Sequence, residues 1–257
     1  MAFINFDLKK NFNFFISLFL CIFILFPNTI KSESLEIDVT ADEWPPFRII
    51  EGDKYSGIDF DLLEEVSKRM NLKLVVKQYP WSRGLINMRL GNVDIMSGLA
   101  KTKQRALFLD YTTPSYYKCS TVFYVKKGNA NLIQTYDDLK KYNIGFVTGS
   151  AYFSPFDTDA SLKKYSVTTE EQLIKMLLYD RFKVIIGTDC QADYDIARLG
   201  LSHKFEKANY RPGNNVDLYI GISKKSHLSK ELEKINKIIQ DIINEGKIQE
   251  YAKKYYK

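Results

Sequence analysis

The sequence predicts an α/β protein with two lobes, each a mixed sheet flanked by helices. Apolar segments of strand-like and helix-like periodicity alternate along the chain, which is the order of β-α-β units with helices on the faces of a sheet. This order occurs twice, before and after a turn at residues 127–129. The chain passes between the two sets near residues 116–121 and again near 215–219. We therefore expect two crossing strands to join the lobes.

The first set of elements begins at residues 35–39, where apolar and polar side chains alternate as in a half-buried strand. Two prolines after Trp44 then impose an extended loop. A helix follows the hairpin-like segment 51–57, because Leu62, Val66 and Met70 recur at four-residue spacing. The first set continues with a strand at 72–76, a helix at 81–90 that ends at Gly91, and a strand at 93–96.

The second set begins with a strand at 121–125 and is followed by elements that return to the first lobe. We place the first lobe at residues 33–118 plus 219–257 and the second lobe at 119–218. The remaining predicted elements are a helix at 136–141, a strand at 144–147, a turn at 148–150, a helix at 169–178, a strand at 184–186, a helix from 189, a returning strand at 218–223, and helices at 229–244 and 247–255 separated by Gly246.

Residues 1–32 have the composition of a secretory signal peptide. Lys9 and Lys10 precede an apolar run from Phe14 to Phe26, and a polar stretch ending at Ser32 follows. The run of about 13 residues is shorter than the ~20 residues that a membrane-spanning helix needs. We predict a periplasmic protein that is cleaved after Ser32, or alternatively after Ser34, with an uncleaved anchor as the other interpretation.

Composition argues against several classes of function. The 37 basic and 31 acidic residues give a net charge of +6, which falls to +4 without residues 1–32. No basic block is long enough to indicate a nucleic-acid partner. His203 and His227 stand alone, so we expect neither a metal site nor a cofactor. Cys119 and Cys190 could form a disulfide in an exported protein, but without a further cysteine framework we expect free thiols.

The most informative segment spans residues 94–117. It combines a turn that contains Gly98, a threonine three residues ahead of an arginine (Thr102 and Arg105), and the run DYTTPSYY at 110–117. An arginine at the start of a helix beside such a turn can hold a carboxylate by two parallel charge-assisted hydrogen bonds, which fix the orientation of the anion. The segment therefore predicts a carboxylate-binding site.

Eight short motifs follow one another along the chain. They are Pro46-Phe47, Gly57-Ile58-Asp59-Phe60-Asp61-Leu62, Gly91-Asn92-Val93-Asp94, Thr102-x-x-Arg105, Tyr111-Thr112-x-Pro114-x-Tyr116-Tyr117, Ile144-Gly145-x-x-x-Gly149-Ser150, Gly187-Thr188-Asp189 and Tyr219-Ile220-Gly221-Ile222. In this order they resemble the family 3 extracellular solute-binding proteins, the receptors that deliver polar amino acids to ABC importers. The resemblance implies the type II periplasmic-binding-protein fold, in which two lobes close over a ligand. We expect a monomer without catalytic activity.

The resemblance also implies roles for individual residues. Arg105 matches the family arginine that holds the α-carboxylate of the ligand. Gly149 and Ser150 match the segment whose backbone N–H groups, at the opening of a helix, reach the same carboxylate from the second lobe. Asp189 matches the acid that receives the α-ammonium group. A zwitterion needs such a cation and anion a few ångströms apart with water excluded, and a helix N-terminus supplies N–H donors to an anion.

Each of these roles has an alternative. Arg105 could instead pair with Asp110 on a solvated face. Asp189 could be only the N-cap of the helix that follows it. Gly149 could serve only to form a turn.

Aromatic residues are predicted to surround the ligand side chain. Trp44 and Trp81 fall where the family usually places the aromatics that sandwich this side chain, although burial in the core is the alternative for both. An indole face offers a large apolar surface and attracts a cationic group by a further ~0.5–2 kcal/mol.

The sequence departs from the family pattern near the predicted site. Ala100 stands where the family commonly has a hydroxyl near the carboxylate. Arg83, Asp42 and Glu43 lie close to the aromatics in the sequence and could contact the distal group of the ligand. If Arg83 points inward, an acidic or polar ligand is favoured; if it faces solvent, it carries no information.

The leading interpretation is a binding protein that delivers a polar amino acid, or a related zwitterion or carboxylate, to an inner-membrane ABC permease. A periplasmic enzyme of the cyclohexadienyl dehydratase type is the alternative. It would need a general acid or base in the cleft, for which Asp42, Glu43 and Lys101 are the nearby candidates. A sensor module is a third class, which we do not expect because no span or kinase domain follows before Lys257.

Overall fold

The computed structural model describes residues 35–256, which form twelve β-strands and six α-helices. The predicted signal peptide and its cleavage site lie outside the described residues. Within residues 35–256, every helix is too short or too polar to span a lipid bilayer.

The secondary structure follows the predicted order. The strands are β1 (Leu35–Ala41), β2 (Ile49–Glu51), β3 (Lys54–Ser56), β4 (Leu72–Gln78), β5 (Ile95–Leu99), β6 (Leu109–Tyr111), β7 (Tyr117–Lys126), β8 (Asn143–Val147), β9 (Lys163–Val167), β10 (Val184–Thr188), β11 (Phe205–Lys207) and β12 (Asn215–Ser223). The helices are α1 (Ile58–Met70), α2 (Trp81–Leu90), α3 (Glu170–Leu178), α4 (Asp189–Arg198), α5 (Leu232–Asn244) and α6 (Lys247–Tyr255).

Two parallel β-α-β units lie at opposite ends of one continuous hydrogen-bonded sheet, in which the strand order is β4-β1-β5-β12-β7-β10-β8-β9. β1 pairs in parallel with β4 and β5, and β8 pairs in parallel with β9 and β10. Between them β12 is antiparallel to both β5 and β7. β12 and β7 therefore cross from one unit to the other, as the sequence predicted, whereas the lobe boundaries at 118/119 and 218/219 stay a prediction.

Separate hydrophobic cores lie on the two sides of these crossing strands. One contains side chains of β1, α1, α5 and α6, and two others contain side chains of β7, β8, β10 and the helices that cover them. Helix α5 shows how the pattern produces the packing, because Ile235, Ile238, Ile239 and Ile242 recur at helical spacing and are all buried. Each lobe can therefore exclude water from its own core.

The differences from the predicted elements are local. The helix predicted at 229–244 starts at Leu232, because a short 3₁₀ helix, His227–Glu231, precedes it. Strands β6, β9 and β11 were not predicted. β6 and β11 have three residues each, and the five residues of β9 include three polar ones, so partner strands rather than local periodicity define them.

A disulfide joins Cys119 in β7 to Cys190 in α4, so the expectation of free thiols is wrong. The register of two strands explains the pairing. β10 runs antiparallel to β7 with Thr188 opposite Thr121, so the residues just beyond this pair approach one another. The two Cα atoms lie 5.5 Å apart, within the usual range for a disulfide.

Removing this disulfide should destabilise the protein. The bond closes a loop with a sequence separation of 71 residues, and its loss enlarges the conformational freedom of the unfolded chain. We expect a Cys119→Ala/Cys190→Ala variant to lose about 2–4 kcal/mol in free energy of unfolding, measured by urea denaturation. A reductant should destabilise the wild type and leave the variant unchanged; equal stability of reduced and oxidised wild type would contradict the prediction.

Candidate functional site

A cavity of ≈ 720 Å³, including its opening, lies between the two sets of elements. Its lining combines residues of the first set, such as Trp44 and Arg105, with residues of the second set, such as Ser150 and Glu170.

Arg105 begins a short 3₁₀ helix, and its side chain reaches across the cavity. Its backbone N–H donates to Thr102 Oγ1 at 3.1 Å, which explains the Thr-x-x-Arg spacing. Nη1 donates to the carbonyl of Ala100 at 2.9 Å and Nη2 to the carbonyl of Gly149 at 2.8 Å. The alternative pairing with Asp110 does not occur, because that carboxylate instead accepts from Ser229.

The charge of Arg105 is therefore buried without a carboxylate partner within residues 35–256. Only 6 % of the residue is exposed, and burial lowers the pKa of its guanidinium, a shift that Tyr111 and Asp157 oppose. A guanidinium stays protonated in proteins and has five N–H donors, two of which bind carbonyls here. The remaining donors can bind an anion in the cavity.

Both tryptophans line the cavity and are also largely buried. Trp81 donates its indole N–H to the carbonyl of Gly149 at 3.1 Å. The guanidinium of Arg48 lies 5.0 Å from the ring centre of Trp44 and 5.7 Å from that of Trp81, and Arg105 lies 5.5 Å from Trp81. Each tryptophan therefore lies in the hydrophobic core and in the cavity wall at the same time, which combines the two predicted alternatives.

Arg48, which the sequence analysis did not identify, forms the centre of a buried polar network beside the cavity. Nη2 donates to Asp42 and Nη1 to Asp59, each at 2.7 Å. Asp59 also accepts from Ser97 Oγ at 2.8 Å and from the hydroxyl of Tyr116 at 2.6 Å. Burial lowers the pKa of Arg48, but the two carboxylates outweigh it and the net pKa is raised. The charge of Arg48 is therefore neutralised by the protein.

Gly98 and Ala100 contribute backbone to the cavity wall. Gly98 has φ +74°, and a Cβ there would lie 2.7 Å from Nη1 of Arg48. Its N–H donates to the hydroxyl of Tyr116 at 3.0 Å. Only glycine therefore permits this close approach of the β5 backbone to the Arg48 network.

Asp189 does not lie where its predicted role requires. Its Oδ1 accepts from the backbone N–H groups of Ser120, at 2.7 Å, and Cys190, at 2.8 Å, so the carboxylate holds β7 against the start of α4. From this turn, Thr188 and Gln191 line the cavity instead. The structure therefore does not place the carboxylate of Asp189 opposite Arg105 in the cavity.

Three further predicted site residues also differ from expectation. Gly149 presents its carbonyl, not its N–H, to the first set of elements. Ser150 lines the cavity, but its N–H donates to the carbonyl of Val147 and no helix begins there. Arg83 is exposed and lies outside the lining, so it carries no information about the ligand.

Glu170 is the second residue that the sequence analysis missed. It is the first residue of α3, whose N-cap Thr169 accepts from the N–H of Gln172. The residue is half-buried and lines the cavity, and burial of its carboxyl, followed by the charge of Asp42, raises the carboxyl pKa to about 8. In the sequence, Thr168-Thr169-Glu170-Glu171 before an apolar run indicates that a helix starts there. It does not indicate the direction in which the side chain of Glu170 points.

Two lobes joined by crossing strands, with a charged cavity between them, define a receptor of the type II periplasmic-binding-protein fold. The family model for bacterial extracellular solute-binding proteins, family 3, matches residues 37–257, and the chain belongs to this family. The resemblance inferred from the motifs is thereby confirmed.

Relatives and solved structures agree with this assignment. "Probable amino-acid-binding protein YxeM" of Bacillus subtilis is 25 % identical, with 86 % of this chain and 83 % of the relative covered. A "Probable histidine-binding protein" of Campylobacter jejuni is 25 % identical, with 84 % and 82 % covered.

Solved structures of similar fold include the arginine-bound protein AbpA of Streptococcus pneumoniae, with a TM-score of 0.75, 21 % identity, and 86 % of this chain and 94 % of that chain covered. The ancestral amino-acid-binding protein AncCDT-1, a precursor of cyclohexadienyl dehydratase, has a TM-score of 0.72 and 20 % identity, with 89 % and 97 % covered. At these identities the likeness establishes the fold.

Proposed function

We propose that this protein is the substrate-binding component of an ABC importer and binds a polar amino acid, or a related zwitterion or carboxylate, between its two lobes. The proposal includes export to the periplasm, a monomeric state, and delivery to an inner-membrane permease. Family membership and the names of the amino-acid-binding relatives support it. Affinity would then depend on closure, since a ligand that contacts both lobes favours the closed state.

The observation that carries the proposal is the buried, unneutralised guanidinium of Arg105 in the cavity. Two of its N–H groups are held by carbonyls from opposite sides of the cavity, Ala100 and Gly149, which fix its orientation. A ligand carboxylate would supply the missing negative charge through charge-assisted hydrogen bonds, which are about twice as strong as neutral ones. The tryptophans would contact the rest of the ligand.

The three residues that the sequence analysis considered as general acid or base are not available for catalysis in the cavity. Asp42 is engaged by Arg48, and Glu43 and Lys101 are exposed and do not line the cavity. The relatives are named as binding proteins. Turnover of a prephenate- or arogenate-like acid would overturn this part of the proposal.

A thermal-shift screen of the exported, purified protein against the standard L-amino acids and related small zwitterions and carboxylates tests the proposal. We expect one or more polar amino acids to stabilise the native state by about 2.7 kcal/mol at a concentration 100 times the dissociation constant. The bound compound should be recovered unchanged by mass spectrometry after prolonged incubation. If no amino acid or related small zwitterion or carboxylate stabilises the protein, the proposed ligand class is wrong.

A further inference from the structure

Four charged side chains line the cavity: Asp42, Arg48, Arg105 and Glu170. Arg48 and Asp42 neutralise one another, with Asp59 as a second partner of Arg48. Within residues 35–256, neither Arg105 nor Glu170 forms an ion pair. The cavity therefore contains one cation and one carboxyl group whose charges the protein leaves uncompensated, and they belong to opposite sides of the cleft.

The surroundings of Glu170 do not supply a counter-ion. The charged groups that act on it are Asp42 and Arg48 from the first lobe and Asp195 from α4, and Tyr152 lies on the loop after β8. Arg48 is held by two aspartates, and Asp195 is held by Arg198 and Gln191. An ionised Glu170 thus faces two further carboxylates and no free cation in the described part of the chain.

We propose that Glu170 is the anionic subsite of the cavity and accepts a positively charged nitrogen of the ligand, in place of Asp189. Arg105 holds the ligand carboxylate at the same time. This inference rests on the proposed function and narrows it: the ligand carries a carboxylate and a cationic nitrogen, either the α-ammonium group or a charged group at the distal end.

The protonation of Glu170 supports this assignment and predicts a pH dependence. With its pKa raised to about 8, the carboxyl is mostly protonated at neutral pH when the cavity contains no ligand. A cationic nitrogen favours the ionised form, so ligand binding should release a proton. Affinity should therefore rise with pH and level off above about 8, with up to a tenfold change per pH unit below that value.

The test compares the wild type with Glu170→Gln and Asp189→Asn by isothermal titration calorimetry. The probes are L-arginine, L-histidine and L-glutamine, the 2-hydroxy acid that corresponds to the tightest binder, and L-citrulline. Glu170→Gln preserves the shape of the side chain and removes its charge. The loss of a hydrogen bond to a charged group should weaken binding of the tightest amino acid about 10- to 100-fold.

The 2-hydroxy acid and L-citrulline each replace one cationic nitrogen by a neutral group, and they therefore identify which nitrogen is bound. If Glu170 binds the α-ammonium group, Glu170→Gln should abolish the preference of the wild type for the amino acid over the 2-hydroxy acid. If it binds a distal cation, the variant should abolish the preference for L-arginine over L-citrulline. The inference would be overturned if Glu170→Gln kept the affinity and selectivity of the wild type while Asp189→Asn lost them. The proposed function would still stand in that case.

Failure of the wild type to bind these probes and every compound of the thermal-shift screen would overturn the inference together with the amino-acid function. If Glu170→Gln does not fold, the number of protons that the wild type releases on ligand binding tests the role of Glu170. This number is measured by calorimetry in buffers of different ionisation enthalpy. Proton release near pH 7 that disappears above pH 9 supports the inference. Binding without proton release contradicts it.

Discussion

Replacing Arg105 by alanine is expected to weaken ligand binding at least about 100-fold, because the ligand carboxylate loses two charge-assisted hydrogen bonds worth about 1.5–3 kcal/mol each. Arg105→Lys should restore little of this affinity. Lysine supplies the charge but not the planar fork that can bind the carbonyls of Ala100 and Gly149 and an anion together. The measurement is calorimetric titration with the ligand found in the thermal-shift screen.

Arg89→Ala is the matched control for this prediction. Arg89 is an exposed arginine of α2 whose guanidinium lies 4.9 Å from the ring centre of Phe108, outside the cavity lining. Its removal should change affinity by less than about threefold, since a surface charge contributes little. A ligand that binds Arg105→Ala as tightly as the wild type would show that the carboxylate is held elsewhere.

Replacing Asp59 by alanine is expected to lower the free energy of unfolding by about 3–5 kcal/mol, the usual cost of removing one partner of a buried ion pair. Asp59 is fully buried and accepts from Arg48, Ser97 and Tyr116. Its loss leaves those donors without their shared acceptor, and Arg48 retains only Asp42 as a counter-ion. Urea denaturation, with the slope compared between variants, measures the effect.

Asp61→Asn provides the control for the Asp59 prediction on the same helix. The carboxylate of Asp61 is partly exposed and pairs with Lys254 at 3.0 Å near the surface. Its neutralisation should cost less than about 1 kcal/mol, because exposed ion pairs contribute little. Equal effects of the two substitutions would contradict the view that the Arg48 network is a main determinant of stability.

Much of the fold could be predicted because its signals are local. The helix at Trp81–Leu90 ends at a glycine with φ +79°, as its sequence indicated. The isoleucines of α5 recur on one face and are buried as the period requires. Strands β6, β9 and β11 were missed because they depend on pairing with residues far away in the chain, which carries no local signal.

The candidate site could be predicted only in part. Arg105 and both tryptophans lie in the cavity wall, as their motifs indicated. Asp189 does not, because the register of β10 on β7 turns its carboxylate toward the backbone of Ser120. Glu170 was missed since the sequence shows only that it starts a helix, and the side on which α3 packs decides that the carboxyl faces the cavity.

By itself, the sequence determined the α/β class, the order of most elements and the family, because periodicity, glycine positions and motif order are properties of short segments. Tertiary structure decided the charges of the cavity. It joined Cys119 to Cys190, neutralised Arg48 with two aspartates, and left Arg105 and Glu170 without a counter-ion among residues 35–256. The physical reason is that ion pairing and burial depend on close approach of residues that are far apart in the chain. These residues come close to one another only after the strands have paired.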